Sequence, residues 1–260
     1  MKRTALTLDA VSFAYGALPI LEDIRFTVEE GEFLCLLGPS GSGKSTLLRL
    51  LAGLESPQRG AIRWWDQALT GPGIDRGVVF QDYSLFPWLS VTDNVALATA
   101  KANPGLTPSR RQAIAREYLA QVGLAEAADK YPLELSGGMR QRGAIARVLA
   151  LNSPVLLMDE PFGALDTLNR ARLQDLLLAV WQSVTPRKTI LFVTHDIDEA
   201  LYLGDRVAVL GAVPGRIIAD RPVAFDRPRD RRRLFSSAVF HRLREDIADA
   251  LSADTLARLD

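Results

Sequence analysis

The nine residues GPSGSGKST, at positions 38–46, constrain the fold of this chain more than any other stretch. They follow the short apolar run FLCLL (33–37) and precede the helix-forming stretch TLLRLLAGL. A glycine-rich loop between a buried strand and a helix directs successive backbone N–H groups at a phosphate. The sequence therefore predicts a nucleoside triphosphate site formed by Gly38, Pro39, Ser40, Gly41, Ser42, Gly43, Lys44, Ser45 and Thr46.

Two loop residues and two carboxylates have individual predicted roles. Lys44 would neutralise the β- and γ-phosphate oxygens, and the Ser45 hydroxyl would ligate magnesium. The apolar run VLLM (155–158) leads into Asp159 and Glu160. We expect Asp159 to contact the magnesium water shell and Glu160 to orient or deprotonate an attacking water.

Four short apolar runs each end on a polar group. Such runs are typical of parallel strands covered by helices, and ligands bind beyond the carboxyl ends of these strands. The runs are FLCLL before the phosphate loop, GVVF (77–80) before Gln81, VLLM before Asp159, and ILFVT (190–194) before His195. The predicted fold class is α/β, with a mostly parallel sheet flanked by helices. For Gln81 or His195 taken singly, the start of an ordinary loop is the alternative.

The pattern changes before and after these strands. TLDAVSFAYG and LEDIRFTVEEGE predict an N-terminal antiparallel β subdomain, whereas residues 107–124 and 136–152 have helical spacing. Thr107 or Ser109 would cap the first of these helices. We expect a cassette over residues 1–220, with a helical subdomain inserted at about 82–150, and a short helical tail over 221–260.

The tail begins with an arginine-rich run, RPRDRRR (227–233). Its composition predicts a solvated charge run, with contact to lipid phosphates as the alternative. Beyond it, five apolar residues are spaced for one face of a helix. They are Val239, Phe240, Leu243, Ile247 and Leu251.

Composition excludes several classes of protein. Thirty-one basic residues balance thirty-one acidic ones, so no global field attracts nucleic acid, and we expect no nucleic-acid partner. The one cysteine, Cys35, lies inside FLCLL and fits a buried strand residue in a reducing cytosol. No apolar run approaches the roughly 18 residues of a membrane span, and the N-terminus has no secretory pattern. The sequence predicts a cytoplasmic chain.

A second apparent anion cradle, LSGGMRQR (135–142), opens a predicted helix but contains no lysine. Taken in order, GPSGSGKST, Gln81, LSGGMRQR, VLLMDE, GALD (163–166) and His195 resemble the motifs of the ATP-binding subunit of an ABC transporter, a P-loop NTPase. The resemblance covers roughly residues 5–215. It implies an ATPase that uses ATP and Mg²⁺.

The resemblance also implies a head-to-tail pair of identical chains. Each ATP would lie between the phosphate loop of one copy and Ser136, Gly137 and Gly138 of the other, so the second cradle needs no lysine. Asp166 would lie at the contact between the copies. Met139 departs from the family, which usually has glutamine at this position.

Further roles follow from the resemblance. Gln81 would sense magnesium and the γ-phosphate and, with Ser45 and Asp159, hold the metal. His195 would hydrogen-bond the γ-phosphate and the attacking water. Tyr15 would stack on adenine, with Phe13 as its rival.

The segment DYSLFPWLSVTDNV (82–95) places Phe86 and Trp88 just after Gln81. Exposed apolar residues mark a partner surface, and the resemblance puts a helix of a membrane subunit here. Packing within the helical subdomain is the alternative for either residue.

The segments EPFGALD and VPGRI (213–217) resemble the corresponding segments of importers of the nitrate, sulfonate and taurine group. We therefore expect an ATPase that drives uptake of an organosulfonate, taurine or nitrate-like anion. Its partners would be a second copy, two transmembrane permease subunits and, indirectly, a substrate-binding protein. It would lie peripherally on the cytoplasmic side of the inner membrane. A soluble ABC-type ATPase without a membrane partner is the alternative.

Overall fold

The structure is a computed structural model and describes residues 3–82, 84–163, 165–183 and 185–257. The chain divides into two compact units, one of Met1–Gly73 with Thr189–Asp260 and one of Ile74–Lys188. Within the described ranges, no helix has the length and apolarity that a bilayer span requires.

The described residues form ten strands, numbered in chain order. They are β1 (Thr4–Tyr15), β2 (Leu18–Glu29), β3 (Phe33–Leu37), β4 (Arg59–Trp64), β5 (Gln67–Ala68), β6 (Arg76–Val79), β7 (Val155–Asp159), β8 (Thr189–Thr194), β9 (Arg206–Leu210) and β10 (Ile217–Pro222).

The same residues form eight α-helices. They are α1 (Lys44–Leu51), α2 (Val91–Ala102), α3 (Pro108–Gln121), α4 (Gly137–Ala150), α5 (Thr167–Ser183), α6 (Ile197–Leu203), α7 (Arg231–Phe235) and α8 (Ala238–Leu256).

The first unit contains an antiparallel sheet and a mainly parallel one. The antiparallel sheet has the order β2-β1-β4-β5, and the other strands run in the order β10-β9-β3-β8. Strand β3 pairs in parallel with both β8 and β9, while β10 is antiparallel to β9. All residues of β3 and β8 are buried, as expected for strands covered on both faces. The α/β prediction, with its mostly parallel sheet and N-terminal antiparallel strands, is confirmed.

The second unit pairs β6 with β7 in parallel. Helices α2, α3 and α4 lie between these strands in the sequence, and each begins at a hydroxyl cap: Ser90, Thr107 and Ser136. Of the two predicted caps for α3, the structure uses Thr107. The predicted boundaries of the cassette, the helical subdomain and the tail stay predictions.

The prediction that the arginine run is solvated is wrong for three of its members. Arg229 is buried, and its guanidinium donates to the carbonyls of Leu201 (3.0 Å) and Tyr202 (2.7 Å) at the end of α6. Arg227 donates to the Leu203 carbonyl (2.6 Å), and Arg231 lies 3.9 Å from the centre of the Tyr202 ring. The cause is tertiary: the last carbonyls of a helix lack internal partners, and guanidinium groups supply donors. Arg232 and Arg233 remain exposed.

Helix α8 packs against the rest of the first unit through Phe240 and Ile247, which are 2% and 0% exposed. Val239 is 55% exposed, so its predicted place on the apolar face is wrong. Polar contacts hold the middle and the C-terminal end of the helix: Arg244 pairs with Asp198 of α6, Arg221 pairs with Asp246, and Asp254 accepts from the backbone N–H of Ala212.

We predict opposite outcomes for two truncations in α8. Ile247→Ala should lower the free energy of unfolding by about 2–5 kcal/mol because it leaves a cavity in the core. Val239→Ala should change it by no more than about 0.5 kcal/mol, since that side chain is exposed. Urea denaturation of the two variants measures both values. Equal losses would contradict the orientation of α8.

Candidate functional site

The phosphate loop begins where the buried strand β3 ends. A Cβ on Gly38 would lie 2.4 Å from the Leu210 carbonyl oxygen, and Gly43 has a φ of 95°. Neither position accepts a side chain without movement or strain. Lys44 Nζ donates to the carbonyls of Gly38 (2.9 Å) and Pro39 (2.8 Å), which fixes the ammonium group against the loop.

Helix α1 starts at Lys44 without a side-chain cap. The first N–H groups of a helix have no partner within the helix, and together with the helix dipole they favour an anion. Ser40, Gly41 and Ser45 are exposed at this end. The loop therefore presents backbone donors, an ammonium group and a hydroxyl to a phosphate.

The turn between β9 and β10 supports the loop from behind. A Cβ on Gly215 would lie 2.4 Å from the Ser42 carbonyl oxygen, and the Gly215 N–H donates to the Ile20 carbonyl (2.8 Å). In the sequence, the segment VPGRI (213–217) is the only feature that pointed to this turn. Its glycine is required because the phosphate loop passes too close for any side chain.

The phosphate loop and His195 leave neighbouring strands at the same edge of the sheet. Strands β3 and β8 are parallel, with Leu37 opposite Thr194. His195 is exposed directly after β8. The two motifs therefore share one sheet edge in this unit.

Two hydrogen bonds fix the backbone on either side of His195. The Thr194 hydroxyl donates to Glu199 Oε2 (2.5 Å) and accepts from the Asp196 N–H (3.0 Å). Asp196 in turn caps α6 by accepting from the Glu199 N–H (3.0 Å). Sequence reasoning did not assign a role to Thr194 or Glu199.

The structure separates the two rivals for the adenine contact. Phe13 is 7% exposed and belongs to the core, whereas Tyr15 is 45% exposed. Their rings meet edge to face with centroids 4.9 Å apart. Only Tyr15 therefore offers a ring face to a ligand, and its stacking role stays a prediction.

In the second unit, Gln81 and the carboxylate pair lie at the ends of two parallel strands. Val79 of β6 lies opposite Met158 of β7, so Gln81, Asp159 and Glu160 lie near the same ends of the two strands. Asp159 is buried and Gln81 is exposed. Glu160 has a φ of 43°, a left-handed conformation that costs about 1–3 kcal/mol in a residue other than glycine and is concentrated at functional sites.

The signature segment forms the start of α4. The Ser136 hydroxyl accepts from the Met139 N–H (3.3 Å), and a Cβ on Gly138 would lie 2.7 Å from Leu165 Cδ2. The segment lies beside a cavity of about 290 Å³, whose lining includes Ser136, Gly138 and Met139. The exposed Ser136 and the first N–H groups of α4 thus form a helix start that can bind an anion, and the segment contains no lysine.

Asp166 caps the start of α5. Its carboxylate accepts from the backbone N–H groups of Asn169 (3.0 Å) and Leu168 (3.1 Å). These hydrogen bonds hold the pKa of Asp166 below the ordinary aspartate value, and those from Asn169 have the largest effect. Ala164, within the GALD motif, lies outside the described residues. The predicted contact of Asp166 with a second copy stays a prediction.

The segment after Gln81 exposes its aromatic residues. Trp88 is 70% exposed and Phe86 is 36% exposed, with ring centroids 5.4 Å apart. Internal packing therefore does not account for Trp88. Tyr83 of the same segment lies outside the described residues.

Phe86 forms one wall of a groove of about 730 Å³. The groove has an apolar surface with two cations, and no carboxylate lines it. Its lining is Val78, Ser84, Phe86, Asn94, Leu97, Ala98, Ala100, Lys101, Arg147, Val148 and Leu151.

Two polar residues that the sequence did not single out shape this groove, the buried Asn94 and the half-buried Arg147. Asn94 accepts from the Phe86 N–H (2.8 Å) and donates to the carbonyls of Phe86, Leu89 and Ser90. Arg147 donates to the Ser84 carbonyl (2.5 Å) and lies 5.7 Å from the Phe86 ring centre, and burial lowers its pKa. These contacts hold Phe86 at the rim.

We predict that Gly38→Ala weakens ATP binding. The new Cβ must displace the Leu210 carbonyl or the loop, at a cost of about 1–3 kcal/mol, which corresponds to a loss of roughly ten- to a hundredfold in affinity. Equilibrium binding of a fluorescent ATP analogue measures it. Gly105→Ala is the control, because nothing lies within 4 Å of its Cβ. Unchanged affinity in Gly38→Ala would contradict the tight fit of the loop.

Comparison with known proteins agrees with this geometry. A sequence profile described as ABC transporter matches residues 21–163. The chain is 44% identical to the bicarbonate transport ATP-binding protein CmpD of Synechocystis sp., over 96% of this chain and 90% of that protein. It is 45% identical to the nitrate import ATP-binding protein NrtD of Synechococcus elongatus, over 91% of this chain and 86% of that protein.

Solved structures show the same fold. The ATP-binding cassette MJ0796, solved as a dimer in a post-hydrolysis state with ADP and Pi, has a TM-score of 0.75 and 31% identity, covering 85% of this chain and 100% of that one. The structure of cbiO1 from Clostridium perfringens, part of the ABC transporter complex cbiONQ, has a TM-score of 0.74 and 28% identity, covering 85% and 90% of the two chains. These matches, together with the phosphate loop and the signature helix, make the chain a member of the ABC transporter family.

Proposed function

We propose that this chain is the ATP-hydrolysing subunit of an importer of a small anion. The observation that carries the proposal is the phosphate loop at the end of β3, next to the strand that ends at His195. Family membership supports the coupling of ATP hydrolysis to transport. The names of the bicarbonate and nitrate relatives support an anion as the cargo.

The first unit would bind ATP through its phosphate loop, the start of α1 and Tyr15. Backbone N–H groups from Gly41 to Ser45 would surround the β-phosphate, with the helix dipole of α1 behind them. Lys44, which donates to loop carbonyls, would turn its ammonium group to the β- and γ-phosphate oxygens. The exposed ring of Tyr15 would stack on the adenine.

The predicted magnesium ligands fit the ion by their chemistry. Ser45, Gln81 and Asp159 offer a hydroxyl, an amide and a carboxylate, and Mg²⁺ takes oxygen ligands while it keeps several waters. Among the described residues, no three histidine, cysteine or acidic side chains are grouped so that they could hold a metal ion. When bound, the ion would neutralise charge on the β- and γ-phosphate oxygens.

Hydrolysis would depend on Glu160 and His195. Glu160 has a strained, left-handed backbone of the kind concentrated at functional sites, and its carboxylate would accept a proton from the attacking water. His195 would donate a hydrogen bond to the γ-phosphate. Gln81, just after β6, would respond to the metal and the γ-phosphate.

A second copy of the chain would complete each nucleotide site. Ser136 and the N–H groups of Gly137 and Gly138 can bind a phosphate without a lysine, because Lys44 of the other copy already neutralises it. An isologous pair would contain two such sites. The dimeric state of the similar cassette MJ0796 supports this arrangement. ATP would hold the two copies together until it is hydrolysed.

In each copy of the chain, the groove beside Phe86 would bind a helix from one of two transmembrane permease subunits. Its apolar lining and exposed aromatic rim suit an amphipathic helix. This contact would place the chain peripherally on the cytoplasmic side of the inner membrane. A substrate-binding protein would deliver the anion to the permease, and an organosulfonate or taurine as cargo stays a prediction beside nitrate and bicarbonate.

We predict that Glu160→Gln binds ATP and accumulates as a dimer. The amide cannot accept the proton of the attacking water, so hydrolysis should fall by about a hundredfold or more. Size-exclusion chromatography with light scattering, in ATP and Mg²⁺, would detect the dimer. Glu30→Gln, an exposed substitution distant in sequence from the catalytic motifs, is the control. Unimpaired hydrolysis in Glu160→Gln would exclude Glu160 as the base.

We predict that the double substitution Phe86→Ser and Trp88→Ser abolishes co-purification with a polytopic membrane protein. The loss follows from removal of the exposed apolar anchors, while basal ATP binding should be unchanged. Leu256→Ser, at a side chain 64% exposed on α8, is the matched control. If no membrane protein accompanies even the wild-type chain, the alternative of a soluble ABC-type ATPase is favoured.

A further inference from the structure

We propose that Arg229, in the C-terminal tail, is a positioning residue for His195. It would act through α6, the short helix that follows His195, and the proposal rests on the role proposed above for His195. The residues involved all belong to the first unit. No motif of the cassette includes Arg229.

The first step links His195 to α6. The hydroxyl of Thr194, the preceding residue, is hydrogen-bonded to Glu199, and that hydroxyl also accepts from the backbone N–H of Asp196, the following residue. Thr194 and Glu199 are 2% and 8% exposed, so water does not compete for these bonds. The backbone position of His195 therefore follows the position of α6.

The second step shows what fixes α6. The helix has only seven residues, and helices this short are not stable without tertiary contacts. Its N-terminus has the Asp196 cap, but its C-terminal carbonyls depend on the tail. Arg229 donates to two of them, those of Leu201 and Tyr202, and to the Val223 carbonyl (3.3 Å).

The third step concerns the burial of the cation. Arg229 is 9% exposed. Its pKa is lowered to about 10, mainly by burial and to a lesser extent by the positive charge of the nearby Arg227. The guanidinium therefore still carries its charge at neutral pH, beside Asp205, which favours the charged form. A buried charge held mainly by helix carbonyls has a fixed position. Arg229 thus clamps one end of α6 while Glu199 holds the other end to Thr194.

The contact of Arg229 with the end of α6 and the contact of Thr194 with Glu199 can be altered separately. Arg229→Met removes the donors but keeps a long apolar side chain, and Arg229→Lys keeps the charge without the planar fork. Thr194→Val removes the hydroxyl at constant shape, and Thr194→Ser restores it. Arg221→Met is the control, because Arg221 also fixes the tail but pairs with Asp246 of α8 rather than with α6.

The test compares kcat for ATP hydrolysis with the dissociation constant for ATP in the full chain. Arg229→Met and Thr194→Val should each lower kcat by about tenfold or more, since small displacements of a catalytic group have effects of this size. ATP affinity should be unchanged, and Thr194→Ser, Arg221→Met and wild type should have the same kcat. Arg229→Lys should give an intermediate kcat.

A double-mutant cycle with His195→Ala distinguishes positioning from general stability. If Arg229 acts through His195, Arg229→Met should cause no further loss of kcat in the His195→Ala background. The proposal would be overturned if the double variant lost kcat by the product of the two single losses. An unchanged kcat in Arg229→Met alone would overturn it as well. If Arg229→Met does not fold, the same cycle with Arg229→Lys decides.

The cycle also separates this proposal from the proposed role of His195. If His195→Ala lowers kcat and Arg229→Met does not, only the positioning role of Arg229 is lost. If His195→Ala keeps the wild-type kcat, the proposed role of His195 fails, and the positioning proposal fails with it.

Discussion

The start of α1, which has no side-chain cap, is the constraint on which the site depends. A helix that begins without a side-chain cap needs an anion or water at its N-terminus. The surrounding structure holds this helix start rigidly: β3 fixes where the loop begins, and the Leu210 carbonyl and Gly215 leave no space behind it. The loop is therefore shaped before any phosphate arrives, which lowers the entropic cost of binding.

Much of this arrangement follows from local sequence patterns. The buried strands that precede the phosphate loop, Glu160 and His195 are short apolar runs, and the caps at Thr107 and Ser136 are hydroxyls at helix starts. What the sequence did not reveal depends on contacts between distant segments. The charge run was misjudged because the carbonyls that Arg229 binds lie 27 and 28 residues away. Arg147 went unnoticed for the same reason, since the Ser84 carbonyl lies 63 residues away. Asn94 and Glu199 bind residues within eight positions of themselves, but no motif marks either of them.

The second unit contains Gln81, which is proposed to respond to the nucleotide, and the segment proposed to contact the membrane subunits. Gln81 is followed directly by the segment that Asn94 and Arg147 hold in place, and Phe86 of that segment forms a wall of the groove. A helix bound in the groove would therefore contact the same backbone segment that begins at Gln81. Coupling between hydrolysis and transport then requires only that this segment has two positions, one with and one without the γ-phosphate.

The central claim is that each nucleotide site combines the phosphate loop of one copy with the signature helix of another. Mixing two inactive variants, Lys44→Ala and Ser136→Arg, tests it directly. In a mixed pair, one site would contain both substitutions and the other would contain neither. The account predicts that each variant alone hydrolyses no ATP and that the mixture regains activity. A mixture as inactive as its two components would contradict it.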